Sequence, residues 1–247
     1  VSNVKYDGVL GMWYGKAPGV DRSGDIFRHA NFLGVGKNSG VLAVAGDDPS
    51  CKSSTLPSQS EPALFDAMMP IFYPGNVQEI LDLGRYAYEM SRYSGLWSGF
   101  KIVTDIADGF GSAFVDPQRV NITIPDFTYN GQPWKHTQNA KLVGHHSLPT
   151  EKEIHLGRIT AAKHFLASNP INKITVQGNE DKFGIITAGK TYYDVIEAFE
   201  SLGWNTEYLN KIGIRILKLG ATFPVDSVMI DKFSKGLDDI FVIEEKR

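Results

Sequence analysis

A single cysteine, Cys51, stands in 247 residues, so the chain can close no internal disulfide and cannot by itself ligate an iron–sulfur cluster or a structural zinc. Such cysteine poverty fits a reducing, cytoplasmic compartment. No apolar run approaches the about 18 residues a membrane span requires, so no membrane-embedded helix is expected. A basic surplus is missing too: 25 Lys and Arg face 28 Asp and Glu, for a net charge of −3. Nothing in that balance suits a phosphodiester backbone, and nucleic acid is not an expected partner. The start, Val1-Ser2-Asn3-Val4-Lys5, has neither an initiating Met nor an apolar leader, and the chain reads as cut from something longer.

What the chain does hold is glycine, 25 residues or roughly a tenth of the total against an average of about 7%. Sharp turns and close backbone approaches follow. An apolar fraction of 42% is enough to fill a core. Short β-rich runs alternate with amphipathic stretches, the pattern of βα units around mainly parallel sheets. Val9 to Tyr14, Val41 to Ala45, Ile71 to Tyr73 and Phe100 to Thr104 read as strands. The clearest helix starts after Asn76, with Glu79 three residues on as a capping pair, and places Val77, Ile80, Leu81, Gly84 and Tyr88 on its apolar side. Its polar side carries Glu79, Asp82, Arg85 and Glu89.

Beyond Asp108 the periodicity breaks up, and residues 112–150 read as a connecting segment with one short strand, Val120 to Ile124. Order returns with a helix over Glu151 to Ala167, strands near Ile174 to Gln177 and Phe183 to Thr187, and a helix from Thr191 to Leu202. A strand over Ile214 to Leu219, a helix over Val225 to Lys235 and a strand over Ile240 to Ile243 complete the pattern. The expected organisation is therefore two βα-alternating domains, 1–111 and 151–247, joined by 112–150.

Two segments carry chemistry. Gly46 to Glu61 is a long tract of hydroxyl and amide side chains that begins where the strand Val41 to Ala45 ends. In a parallel sheet the carboxyl ends of strands are where ligands bind. Gly15 to Asp25 likewise follows a strand, at a strand-to-helix corner where exposed amides favour anions; its plainer reading is a Gly/Pro turn capped by Ser23 or Asp25. Together they put two polar loops on one edge of the first sheet.

Other motifs weaken on inspection. Gly184 to Thr191, Gly-Ile-Ile-Thr-Ala-Gly-Lys-Thr, satisfies the P-loop pattern in letters, yet Ile185-Ile186 is strand-like where a phosphate-wrapping loop belongs. Thr191 with Asp194 reads instead as a helix cap. Gly34 to Gly40 precedes a strand instead of following one and reads as a turn. His145, His146, His155 and His164 have no i, i+4 partner or clustered carboxylate, so no metal site is expected from them.

Three stretches carry a family resemblance: Tyr6 to Asp25, the Asp47-Asp48-Pro49 loop with Ser53-Ser54 and Gln59-Ser60, and Asn76 to Asp82. They resemble the long-chain bacterial indolepyruvate ferredoxin oxidoreductases, a branch of the thiamine-diphosphate-dependent 2-oxoacid:ferredoxin oxidoreductases. Lys182 to Arg247 looks like the second domain of the same family. The resemblance implies an α/β fold made of a pyrimidine-type thiamine-diphosphate-binding domain, truncated at its N-terminus, and a transketolase C-terminal-like domain. It implies a fragment as well. The family's cofactor-activating glutamate, its Gly-Asp-Gly motif for Mg²⁺ and diphosphate, and its iron–sulfur cysteines are not in these residues.

For the whole enzyme the resemblance implies oxidative decarboxylation of an aryl 2-oxoacid such as indolepyruvate. Thiamine diphosphate and Mg²⁺ would serve as cofactors, ferredoxin as electron acceptor, coenzyme A as acyl acceptor, and a homo-oligomer as the assembly; the fragment alone is expected to be inactive. On that reading Lys16 and Arg22 act on the substrate, Arg22 because its fork matches a carboxylate. Asp21, Ser23, Asp47, Asp48, Ser53, Ser54 and Gln59 would line the cofactor cleft. A non-catalytic ligand-binding or subunit-interface module, or a P-loop nucleotide-binding protein, stays open as an alternative.

Overall fold

The computed structural model describes residues 5–246; Val1 to Val4, read above for a leader, and Arg247 lie outside the described residues. Among the described residues no helix is long and apolar enough to cross a membrane. The fold is α/β with mostly parallel sheets. β1 (Leu10–Lys16), β2 (Gly40–Asp47), β3 (Ile71–Phe72) and β4 (Ser98–Val103) lie parallel in the order β1-β2-β4-β3. All their carboxyl ends therefore share one edge. Two very short strands, β5 (Thr128–Tyr129) and β6 (Gln132–Pro133), make a separate antiparallel pair. β7 (Lys173–Val176), β8 (Phe183–Ala188), β9 (Ile214–Leu219) and β11 (Asp239–Ile243) form the second sheet, in the order β11-β8-β9-β7 with β7 antiparallel. The remaining strand, β10 (Ala221–Phe223), leaves β9 and pairs antiparallel with β3, so the C-terminal half contributes a strand to the first sheet.

Two short helices, α1 (Ala17–Arg22) and α2 (Gly24–Leu33), follow β1, and α3 (Glu61–Asp66) precedes β3. The cap expected at Asn76 forms: its Oδ1 accepts from the Glu79 N–H at 2.9 Å and starts α4 (Val77–Ser94). The apolar side of α4 differs from the sequence reading. Leu83, Tyr86, Ala87 and Met90 are buried, whereas Leu81 is 42% exposed. The reason is a second layer. Helix α7 (Ile159–Ser168) packs on α4 through Ala162, Phe165 and Leu166, in one core with Leu42, Phe72 and Phe100 of the sheet.

Helix α4 also grips the connecting segment. Its side chains hold the backbone of the connecting segment: Gln78 exchanges bonds with Phe114, Arg85 donates to the Pro117 carbonyl at 2.7 Å, and Tyr86 and Tyr93 donate to Asn121 and Pro125. Arg119 answers with a 3.0 Å ion pair to Asp82. The strand expected over Val120 to Ile124 does not form. Side chains satisfy that backbone instead, with Asn169 both accepting from and donating to Thr123 at 2.8 Å. The expected helix from Glu151 runs as α6 (Ser147–Glu153), one π turn over Ile154–Arg158, and α7.

The P-loop letters are a strand and a helix start. Gly184 to Ala188 lie inside β8, hydrogen-bonded to β9 and in part to β11, so no loop remains to wrap phosphates. α8 (Gly189–Ser201) opens at Gly189, whose φ of 53° suits glycine, and a Cβ there would stand 2.4 Å from the Tyr73 ring. The cap expected from Thr191 and Asp194 is absent. Ala188 is the N-cap residue without a side-chain bond, and Asp194 pairs with Lys190 at 2.5 Å. Helices α9 (Thr206–Lys211) and α10 (Ser227–Ser234) complete the second sheet's layers. The two sheets are pinned where Lys218 of β9 meets Glu79 and the Tyr193 hydroxyl, and burial draws the Lys218 ammonium below its ordinary pKa.

Candidate functional site

The serine-rich loop folds around two carboxylates. Asp48, the first residue after β2, accepts from the backbone N–H groups of Lys52, Ser53 and Ser54 at 2.7 to 2.8 Å. The Ser53 N–H leads in holding its carboxyl well below the usual range, with Lys52 and Ser54 adding to it. Asp47 accepts from the Ser60 N–H at 2.8 Å and from its hydroxyl at 2.6 Å. Both aspartates are buried, and both are spent on the loop's own donors. Cys51 takes a φ of 56°, the left-handed region that favours glycine, as the tight turn after Pro49 requires.

A charged tie runs outward from the loop's middle. The Lys52 ammonium bonds Asp105, in the short helix α5 (Thr104–Ala107), and Lys190 of α8 approaches the same carboxylate at 3.5 Å. The second sheet's helix thereby braces the loop of the first. Those charges pull in the expected directions: the Lys52 hydrogen bond lowers the Asp105 pKa. Asp194 and Asp105 raise that of Lys190, against the opposing effect of burial.

Between this loop and α1 lies a cleft of about 430 Å³ at the carboxyl edge of β1 and β2. Lys16, Asp21, Ser53, Ser54 and Gln59 line it, with Pro18 and Pro57 as apolar wall. Five residues read from sequence thus converge. Asp47 and Asp48 shape the loop from behind. Arg22 and Ser23 are not among the lining residues: a helix turns roughly 100° per residue, so α1 presents Asp21 to the cleft and carries exposed Arg22 away. Ser23 caps nothing with its side chain; its backbone N–H closes α1 on the Gly19 and Val20 carbonyls at 3.0 Å.

Chemically the cleft offers hydroxyls, an amide, one ammonium and one carboxylate, without a paired nucleophile and base. It can orient a polar ligand and meet an anionic group at Lys16. Sequence reasoning missed the bracing by Asp105 and Lys190, whose signal was the unexplained Lys of the P-loop letters. It missed Lys101 as well, a lysine set between Phe100 and Ile102 in β4.

A diphosphate-bound metal finds no fit here. Among the described residues no group of three or more His, Cys, Asp or Glu stands ready to hold an ion, and the two nearest carboxylates are already committed.

A family model described as the indolepyruvate oxidoreductase domain matches residues 173–247. The chain is 27% identical over 263 aligned residues to indolepyruvate oxidoreductase subunit IorA of Pyrococcus horikoshii, covering 98% of this chain and 36% of that protein. With the same-named subunit of Pyrococcus abyssi it shares 28% identity over 246 residues, again 98% of this chain and 36% of the relative. The chain therefore spans about a third of the length of these relatives. Among solved structures, the 2-oxoglutarate:ferredoxin oxidoreductase from Magnetococcus marinus with 2-oxoglutarate, coenzyme A and succinyl-CoA bound superposes with a TM-score of 0.61. That match covers 96% of this chain and 46% of that one, at 12% identity, and speaks for the fold alone.

Proposed function

We propose that this chain, a relative of the indolepyruvate oxidoreductase subunits, is the part of a 2-oxoacid oxidoreductase that walls the substrate and cofactor cleft. The observation that carries this reading is the meeting of Lys16, Asp21, Ser53, Ser54 and Gln59 at the carboxyl edge of a parallel sheet. In the whole enzyme the substrate is an aryl 2-oxoacid of the indolepyruvate type, ferredoxin takes the electrons and coenzyme A the acyl group. Thiamine diphosphate, when bound, supplies the nucleophilic carbon and the electron sink for loss of CO₂. Its metal and diphosphate are held outside these residues, as are the iron–sulfur centres.

In this cleft Lys16 meets the substrate carboxylate, a charge-assisted contact that fixes the acid end. Ser53, Ser54 and Gln59 hydrogen-bond the cofactor's ring end or the 2-oxo group, and Asp21, on the same wall as Lys16, adds an acceptor. Arg22 takes no direct part here. The test is steady-state kinetics of the complete enzyme with indolepyruvate. Lys16→Met should raise KM about tenfold or more, the worth of one charged hydrogen bond, while Arg22→Ala should leave kcat/KM within about twofold. Wild-type kinetics for Lys16→Met would refute the cleft's role.

A second role in assembly is favoured by the outer face of β1, where Leu10, Met12 and Tyr14 stand exposed along a sheet edge. We propose that this face packs against a second copy of the chain. Met12→Lys should then lower the assembled mass in size-exclusion chromatography with light scattering.

A further inference from the structure

Across Gln59 from the cleft is a second hollow, of about 300 Å³, between α3, the end of β3 and β4, and residues 244–246. Its depth is charged and its rim apolar. Lys101, on β4, is at the bottom with its side chain 5% exposed, while Phe65 and Val225 at the mouth are 55% and 61% exposed. The Lys101 Nζ donates to Glu61 Oε2 at 3.0 Å and stands 4.2 Å above the Tyr73 ring. An ammonium carries three N–H bonds. One goes to Glu61 and one direction faces the ring, which leaves a buried donor with no partner among the described residues. The Thr222 hydroxyl, on the same wall, is likewise buried without a hydrogen-bond partner. Buried polar groups are rarely left so, and two in one hollow ask for a ligand with an anionic acceptor.

A simple anion is the wrong occupant. Glu61, Glu244 and Glu245 line the hollow against Lys101 and Lys246, an excess of negative charge. Glu245 accepts from the Tyr73 hydroxyl through Oε2 at 2.6 Å, and Glu61 uses Oε2 for Lys101. The second oxygen of each has no partner among the described residues. Spare donor and spare acceptors thus lie side by side beneath Phe65 and Phe223, which pack edge to face with ring centroids 4.9 Å apart. We propose that this hollow binds an α-amino acid with a large apolar side chain. Its carboxylate meets Lys101 and Thr222, its ammonium meets Glu61 and Glu245, and its side chain lies on Phe65 and Phe223. A plain amine would leave Lys101 and Thr222 unmet, and a plain acid would leave Glu61 and Glu245 unmet; an amino acid answers both. A cavity of about 150 Å³ holds benzene, so the volume here suffices for phenylalanine or leucine.

Calorimetric titration of the complete protein with L-phenylalanine and L-leucine tests this, with 3-phenylpropionate, phenethylamine and glycine as probes that each lack one feature. At least one of the two amino acids should bind with a Kd below about 1 mM, and the three comparators at least about tenfold more weakly. Thr222→Val should weaken amino-acid binding about tenfold without lowering the melting temperature of the unliganded protein, because it deletes an unpartnered hydroxyl. Phe65→Ala, at an exposed position, should weaken it similarly. Absence of binding by both amino acids at 10-fold above that Kd, equal binding of 3-phenylpropionate, or unchanged affinity in both variants would each overturn the proposal.

Discussion

Arg158 is the largest fully buried side chain, at 0% exposure, and its removal offers the sharpest test of how the fold is held. From the π turn its guanidinium donates to the Asn31 carbonyl at 2.8 Å, to the Thr137 carbonyl at 3.0 Å and to Glu153 at 2.9 Å. Asn31 in turn donates to Ala67 O and accepts from the Trp97 N–H, so the arginine anchors a network joining α2, α3 and β4. Arg158→Met keeps most of the apolar stem and deletes the fork. The buried Asn31 carbonyl then loses its donor at about 1–3 kcal/mol, and the part-buried Thr137 carbonyl loses less. Glu153, 27% exposed, regains water and adds little. Loss of stability should come to about 2–4 kcal/mol, a fall in melting temperature of roughly 10 °C for a chain of this size. Arg158→Lys, which keeps a charge and one or two bonds, should lose about half as much. Urea unfolding with an unchanged slope measures both. A loss below about 1 kcal/mol for Arg158→Met would mean that water or neighbouring donors replace the fork, and the reasoning would fail.

Other expectations follow from the loop and the sheet junction. Asp48 has its folded pKa below the unfolded value of about 3.9, so its bonds stabilise the loop above that value and the contribution is lost as pH falls through the folded pKa. Limited proteolysis within 49–59 should stay slow at pH 7 and accelerate in strong acid, and Asp48→Asn should be cut rapidly at both. Gly189→Ala meets both a positive φ and the Tyr73 ring, so at least about 2 kcal/mol should be lost on chemical denaturation; near-wild-type stability would show that the junction yields. Cys51→Gly relieves a left-handed residue and should be neutral or stabilising by up to about 1 kcal/mol, read from the same curves. Mg-ATP should give no calorimetric signal that Lys190→Ala removes, since residues 184–188 are strand.

How much of this was legible follows from where each signal lies. The strands of the first sheet and their parallel sense came through because short apolar runs ended in polar loops, and the α4 cap came through because Asn76 and Glu79 are local partners. The buried side of α4 did not. Leu81 and Leu83 are equally apolar, and only α7, more than seventy residues downstream, decides between them. β10 was invisible for a similar cause: three residues become a strand only because β3 offers them an edge. The strand expected at Val120 to Ile124 had the right composition, but its backbone found side-chain partners on α4 and Asn169 before any neighbouring strand.

The site divides along the same line. That the loop after β2 and the corner after β1 would face one another follows from parallel topology, which sends both carboxyl ends to one edge, and five of the nine residues singled out do line a common cleft. Which way each side chain turns is a separate question, settled by local hydrogen bonding. Asp47 and Asp48 look like ligands in sequence because carboxylates at a strand end often are, yet a loop with this many backbone N–H groups and hydroxyls must satisfy them somewhere, and the two aspartates are the nearest acceptors. Their inward turn leaves Lys16 as the cation among the cleft's lining residues, so the affinity of the cleft for an acid should fall with salt, and fall less steeply once Lys16 is neutralised. Inhibition of the complete enzyme by a non-reactive aryl carboxylate, followed from low to high ionic strength, measures this. Equal salt slopes for wild type and Lys16→Met would place the acid end elsewhere.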